Sequence, residues 1–287
     1  MNHADQASQA ARRIWTLAEP VHAVTYFAPE ARTAFEEAGL RGFWRGYFAG
    51  RSAPLGRVSA GPVIASFFNF APGMVSRALP AVWDLIEPVQ ALAARQAGAV
   101  AALRRLLTGV DAEVAKAGDL LWTAVSGANC AGRVLAAANA ELPVPDEPYA
   151  KLWHAATFLR EHRGDGHVAA VLAADLDGSE VIALQAPARV PRAQIQPVRG
   201  WTDDQWDAAV GRLAGRGLLT SEGELTPAGR ELRAAIERTT DIAAARPWQH
   251  AGPAAELGAL LAPISRACAA ALPFPNPIGV PSAGASQ

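Results

Sequence analysis

Lysine is nearly missing from this chain. Of 26 basic residues in 287, only Lys116 and Lys151 are lysine and the other 24 are arginine. With the excess of alanine, this bias reads as GC-rich coding rather than arginine-based recognition. Cysteine is equally scarce: Cys130 and Cys268 stand alone in apolar helical surroundings, with no CxxC. That excludes a disulfide framework and a cysteine-built metal site, and two buried reduced thiols in a cytoplasmic protein are expected. No apolar run reaches the roughly 20 residues of a membrane span. The start, Met1-Asn2-His3-Ala4-Asp5-Gln6, lacks the charged-then-apolar pattern of a signal peptide. The expected location is the cytoplasm, with no membrane partner. A formal net charge of −1 gives no general attraction to nucleic acid. No GxGxxG follows a strand, and neither a phosphate-binding GxxxxGK loop nor GxSxG occurs, which sets aside nucleotide-dependent and serine-hydrolase chemistry.

What remains is a globular composition, 51% hydrophobic and 18% charged, long enough for one large or two ordinary domains. The spacing of apolar residues predicts a mainly α protein. A multi-helix domain is expected over residues 1–196. A winged helix-turn-helix module with a short β-hairpin wing, C-terminal helices and a disordered proline-rich tail is expected over 197–287. Ala10, Ile14, Leu17 and Ala18 mark a first helix that Glu19-Pro20 is expected to end, leaving His22 just beyond it. Pro29 and Glu30 open another helix through Ala38. Residues 43–70 are dense in aromatics, among them Phe43, Trp44, Tyr47, Phe48, Phe67, Phe68 and Phe70. Such spacing means a packed core, but Asn69, Arg77 and Trp83 follow on segments that read as buried, and buried polar groups need partners.

The densest cluster of proton-moving groups is Arg160-Glu161-His162-Arg163-Gly164-Asp165-Gly166-His167. Apolar helical segments flank it, and its two glycines are expected to break the helix and let neighbouring side chains converge. A histidine paired with Glu161 or Asp165 makes an acid/base couple near neutral pH, and Arg160 or Arg163 can hold an anion bidentately. His22, from the N-terminal half, is a second candidate if it faces this segment. The spacings of His154, His162 and His167 match no metal motif, so no metal is assigned, and no cofactor is named by the residues.

Near the C-terminus, Thr202 is an N-cap with acids in the following turn. A helix, then Leu218-Leu219-Thr220, a tight polar turn, Glu224-Leu225-Thr226 and a long helix from Pro227 follow in order. This pattern resembles the winged helix of MarR-type regulators. Asp203, Asp204, Asp207, Glu222 and Glu224 lie where a DNA reader presents basic or amide groups, and carboxylates repel phosphate.

Taken with the stretch Glu19 to Glu30, the aromatic segment from Leu40 to Gly56 and the Arg160–His167 octet, the whole resembles an actinobacterial family of mostly uncharacterised helix-turn-helix, MarR-like proteins. The resemblance implies a helical protein with a winged helix. The leading expectation is a small-molecule-binding enzyme of actinobacterial secondary metabolism acting on an apolar or aromatic substrate. Its acid/base residues are Glu161, His162, Asp165, His167 and His22, and its substrate-binding residues are Arg163, Tyr26, Trp44, Tyr47, Phe68, Asn69 and Arg77. The alternative is a ligand-responsive, DNA-binding homodimer with a basic face from Arg212, Arg216, Arg230 and Arg233.

Overall fold

Glu147 and Pro148 open the helix that the others surround. The Glu147 carboxylate accepts the Ala150 N–H at 2.7 Å, and Pro148 occupies the first helical position, where its missing N–H costs nothing. The helix then runs without interruption to Ala173. In the computed structural model, which describes residues 3–249, 254–273 and 276, it is the ninth of fourteen α-helices among the described residues. In chain order these are α1 (His3–Phe27), α2 (Pro29–Glu37), α3 (Phe43–Ser52), α4 (Ala60–Phe67), α5 (Pro72–Ser76), α6 (Pro88–Leu106) and α7 (Asp111–Ser126). They continue as α8 (Val134–Ala140), α9 (Pro148–Ala173), α10 (Gly178–Gln185), α11 (Arg192–Arg199), α12 (Asp203–Gly215), α13 (Pro227–Ala244) and α14 (Ala254–Ala269). The chain is therefore all-α, and the proline-rich tail expected past residue 276 lies outside the described residues.

Helix α9 is buried on every side from Tyr149 to Gly166, as a central helix must be, with α1, α6, α7, α8 and α13 packed around it. Its first half joins α1, α6, α7 and α14 in one core through Leu152, Trp153, Phe158, Ile14 and Leu121. A second core is the aromatic nest of α3 to α5, centred on Phe48, Phe67 and Phe70. A third joins Ala170 and Val171, at the far end of α9, to Trp206, Leu213 and Ile236 of α12 and α13. The C-terminal helices thus pack directly on α9 and α1.

Four expectations are corrected. Pro20 does not end α1, which continues to Phe27. Ile14, Ala18, Val21 and Val24 are buried in one core, and at about 1.5–3 kcal/mol for each large apolar side chain their burial outweighs the roughly 3 kcal/mol cost of an interior proline. The glycines of the octet do not break α9. A Cβ on Gly166 would lie 2.8 Å from the Arg133 guanidinium and 3.1 Å from Ala243 Cβ, so the glycine is there for close packing against α13. Pro187, Pro191 and Pro197 read in the sequence as an irregular connector, but α11 forms over Arg192–Arg199. Finally, the expected β-hairpin wing is not formed: its arms meet in one isolated bridge, Leu219 to Leu225, supported by Thr220 N–H to the Glu224 carbonyl at 2.8 Å. Arms of so few residues cannot sustain a ladder, and Thr220 Oγ1 draws the Glu222 and Glu224 N–H groups into the turn instead.

The start of α10 seats against the end of α4 only because residue 178 is glycine. A Cβ there would overlap the Phe68 carbonyl oxygen. Gly178→Ala is expected to lower the unfolding free energy by about 1–3 kcal/mol, the usual range for overpacking against an unyielding backbone atom. Urea denaturation measures it, and a stability equal to wild type would show that this contact is looser than described.

Candidate functional site

Because α9 is continuous, its octet is divided by helical geometry rather than gathered. Arg160, Arg163, Gly164, His167 and Val168 fall at i, i+3, i+4, i+7 and i+8 and share one face. That face lines a cavity of about 170 Å³ between the helical body and the C-terminal helices. Trp15 and Glu19 of α1, Tyr47 and Arg51 of α3, and Phe67 to Asn69 form the body side. Gln185, Arg189, Arg199, Glu237 and Thr240 form the other.

Under the cavity lies a buried ion cluster. Glu161, 2% exposed, receives Arg51 through two hydrogen bonds of 2.9 and 3.0 Å and Arg160 at 2.8 Å. Burial by itself would raise this carboxyl, but Arg160 and Arg51 hold it well below the ordinary carboxylate range. It is therefore a fixed anion and a poor proton carrier. Arg160 also approaches Glu19 at 3.6 Å, and Trp15 Nε1 donates to Glu19 at 2.8 Å. Burial still raises the Glu19 carboxyl above its usual value.

A second cluster joins α1, α9 and α13. Arg163 reaches Glu237 and Asp241 at 3.1 Å each, Arg12 reaches them at 3.0 and 2.7 Å, and Arg189 approaches Glu237 at 3.5 Å. Three cavity guanidiniums stack on rings: Arg51 at 4.0 Å from the Phe67 centroid, Arg163 at 4.5 Å from Trp15 and Arg199 at 4.4 Å from Phe70. Stacking fixes each plane before any ligand arrives. Arg163 Nη1 is buried and has no hydrogen-bond partner.

The residues singled out in the sequence are distributed as follows. Arg163, Tyr47, Phe68, Asn69 and His167 line the cavity. His167 Nδ1 lies 3.1 Å from Thr240 Oγ1, and burial lowers its pKa to about 4. Glu161 lies beneath, bound by its arginines. His162 turns away into the α1 side, its ring stacked on Phe158, and burial lowers it likewise to about 4. Asp165 faces α8, where it accepts the Ala136 N–H at 2.9 Å, and burial raises it to about 6. His22 is enclosed between Thr157 Oγ1 at 2.9 Å and the Tyr26 hydroxyl at 3.0 Å, with burial first and Arg160 second pushing its pKa well down. Tyr26 sits behind Tyr47, their ring centroids 5.0 Å apart. Trp44 is half-buried against Tyr47 and Phe70. Arg77 is exposed and donates to its own helix at Gly73, so the expectation that it sits on a buried segment is corrected. Among the described residues, no three His, Cys, Asp or Glu side chains gather as a metal site would require.

Trp15, Glu19, Arg51, Arg189, Arg199 and Glu237 were not foreseen at this place. Helical periodicity carried through the glycines would have picked the cavity face of α9, but the partners on α1, α11 and α13 carry no local signal.

The helix expected to read DNA is α12. Its exposed acids serve the fold: Arg192 of α11 donates to Asp203 at 2.9 Å and to Asp207 at 2.6 Å. Arg212 is held by Asp177 and Glu180 at 2.6 and 2.8 Å. Arg216 caps the Asp175 and Ala174 carbonyls, and Arg230 the Leu225 carbonyl. Three of the four arginines expected to form a basic face are thus tied to the protein itself.

A family model described as a helix-turn-helix family matches residues 11–275. No curated protein and no solved structure matches the chain.

The buried imidazoles predict weakening by acid. His154, His162 and His167 are lowered to about 4 from an ordinary 6.5, and His22 is lowered too, each chiefly by burial. In the unfolded chain these rings take up protons as pH falls through 6.5, whereas the folded ones resist until about 4. Their contribution is therefore complete above 6.5 and lost towards 4. Asp165, raised to about 6, has the opposite sign and offsets one ring, and the raised Glu19 and Asp241 act in its direction. Histidines titrate first on acidification, so urea-unfolding free energy should fall between about pH 7 and about pH 5.5, at about 1.4 kcal/mol per pH unit for each unmatched proton. A flat profile would contradict neutral, buried rings.

Proposed function

The chain belongs to the helix-turn-helix family, and on that premise we propose that it is a small-molecule-binding protein whose ligand is an anion held in the arginine-lined cavity. The observation that carries this reading is the set of three cavity guanidiniums already stacked on Phe67, Trp15 and Phe70, one of them with a buried N–H lacking a partner. An orphaned buried donor costs about 1–3 kcal/mol, which an anionic acceptor would recover. Guanidiniums fixed in advance lose little entropy on binding. Phe68 supports it further: its φ of 59° is a left-handed conformation, costly for an aromatic residue, and such strain concentrates at ligand sites.

Of the groups expected to move protons, His167 alone lines this cavity among the described residues. Acid/base chemistry by those expected residues would fall to that imidazole, which burial disposes to its neutral form. In this reading the winged-helix segment is a wall of the site and not a DNA reader. A cytoplasmic setting rests on the free Cys130 and Cys268 thiols. No helix among the described residues is long and apolar enough to cross a membrane.

The second reading is a MarR-like, DNA-binding homodimer, favoured by the family's own description. Two measurements separate the readings. Thermal unfolding against small anions, benzoate and inorganic phosphate among them, should show saturable stabilisation of the wild type by at least one of them, weakened at least about tenfold in Arg163→Gln. Arg163→Lys, which keeps the charge but loses the stacked fork, should weaken it too and guards against a folding defect. Absence of any saturable anion effect would remove the first reading, and a salt-dependent shift of duplex DNA would establish the second.

A further inference from the structure

We propose that the ligand is a ring-sized monocarboxylate, and that Glu237 is the residue that restricts it to a single negative charge. This rests on the reading of the cavity as an anion site and names the anion. The volume comes first. About 170 Å³ is close to the roughly 150 Å³ that accommodates benzene in an engineered protein cavity, and well below the roughly 300 Å³ at which pockets for drug-sized ligands begin. A ring-sized ligand fills this space, whereas a nucleotide or a long chain would extend beyond it. Trp15 and Phe67 line the cavity, each with a guanidinium over its ring, and supply apolar wall beside the polar groups.

The charge follows from how Arg163 is used. Its Nη2 already serves Glu237 and Asp241 at 3.1 Å each, its plane lies over Trp15, and its buried Nη1 has no acceptor. Glu19 also acts on this guanidinium, so three carboxylates surround it. Arg189 stands beside the same Glu237, half-exposed at 3.5 Å, and can turn to a ligand. One carboxylate group satisfies Nη1 and adds a single negative charge to the three present. A phosphoryl dianion would add two beside a guanidinium that Glu237 and Asp241 already share, and the like charges repel. Thr240 and Gln185 supply neutral polar groups on the same wall.

Isothermal titration of the full-length wild type with benzoate, phenyl phosphate and benzyl alcohol tests this. Benzoate should bind saturably, with phenyl phosphate and benzyl alcohol each at least about tenfold weaker. In Glu237→Gln, which removes one facing charge and keeps the shape, the gap between phenyl phosphate and benzoate should narrow or reverse. Phenyl phosphate equal to or tighter than benzoate on the wild type would overturn the monocarboxylate while leaving an anion site standing. Benzyl alcohol equal to benzoate overturns any role for charge. If none of the three binds and inorganic phosphate is also silent, the anion site itself is wrong. Should Glu237→Gln fail to fold, the wild-type series decides alone.

Discussion

The arrangement depends on one buried carboxylate. Glu161 is enclosed at the centre of the molecule, where leaving an ion unpaired would cost several kcal/mol. Arg51 meets it edge-on with two hydrogen bonds and Arg160 with a third, so α3 and α9 are locked in one register. Removing either partner would leave a charge stranded, a change worth about 3–5 kcal/mol. Lysine could not replace Arg51, which at once grips Glu161, donates to the Tyr47 hydroxyl at 3.2 Å and lies over Phe67. The arginine bias of the composition, whatever its origin in coding, is used structurally at such positions.

That cluster also decides what the cavity above it can do. A carboxylate held far below its ordinary range by two guanidiniums does not shuttle protons near neutrality, so Glu161, expected among the acid/base residues, serves as a fixed anion. His162 and Asp165, its neighbours in sequence, point to other sides of α9. In the proposed reading the chemistry of the cavity is recognition by Arg163, Arg189 and Arg199, with the buried imidazole of His167 beside them.

Much of the fold was legible. The all-α class, the Thr202 helix start and the long helix from Pro227 follow from caps, prolines and apolar periodicity. The failures share one cause: a breaker was weighed by its local propensity alone. Pro20, Gly164 and Gly166 sit where tertiary burial or close packing outweighs a cost of about 1–3 kcal/mol, and no local pattern records that burial. Reading the glycines as a break made eight residues look like one site. Reading them as helix assigns Arg160, Arg163 and His167 to one face and removes the others. The partners from α1, α11 and α13 are far away in sequence, and their pairing becomes visible only once the helices are packed.

The winged-helix segment shows why a family description stops short of an activity. A fold is a scaffold, and function resides in the groups it presents. Here the turn between α11 and α12 is made by Gly200 at φ 76°, and a Cβ on that glycine would lie 2.7 Å from Met74, so the turn is pressed onto the helical body. Asp203 and Asp207 on α12 hold Arg192, while Arg212 and Arg216 fasten the helix to the start of α10 and the end of α9. Freeing those arginines for phosphate would break the contacts that seat α12 in its own core. Acids in the first turn of α12 favour the helix electrostatically, and for the same reason they oppose a polyanion. In the proposed reading the side chains that stabilise this module are the ones that weigh against DNA, and its part in the site is Arg189, Arg199, Glu237 and Thr240 on the cavity wall.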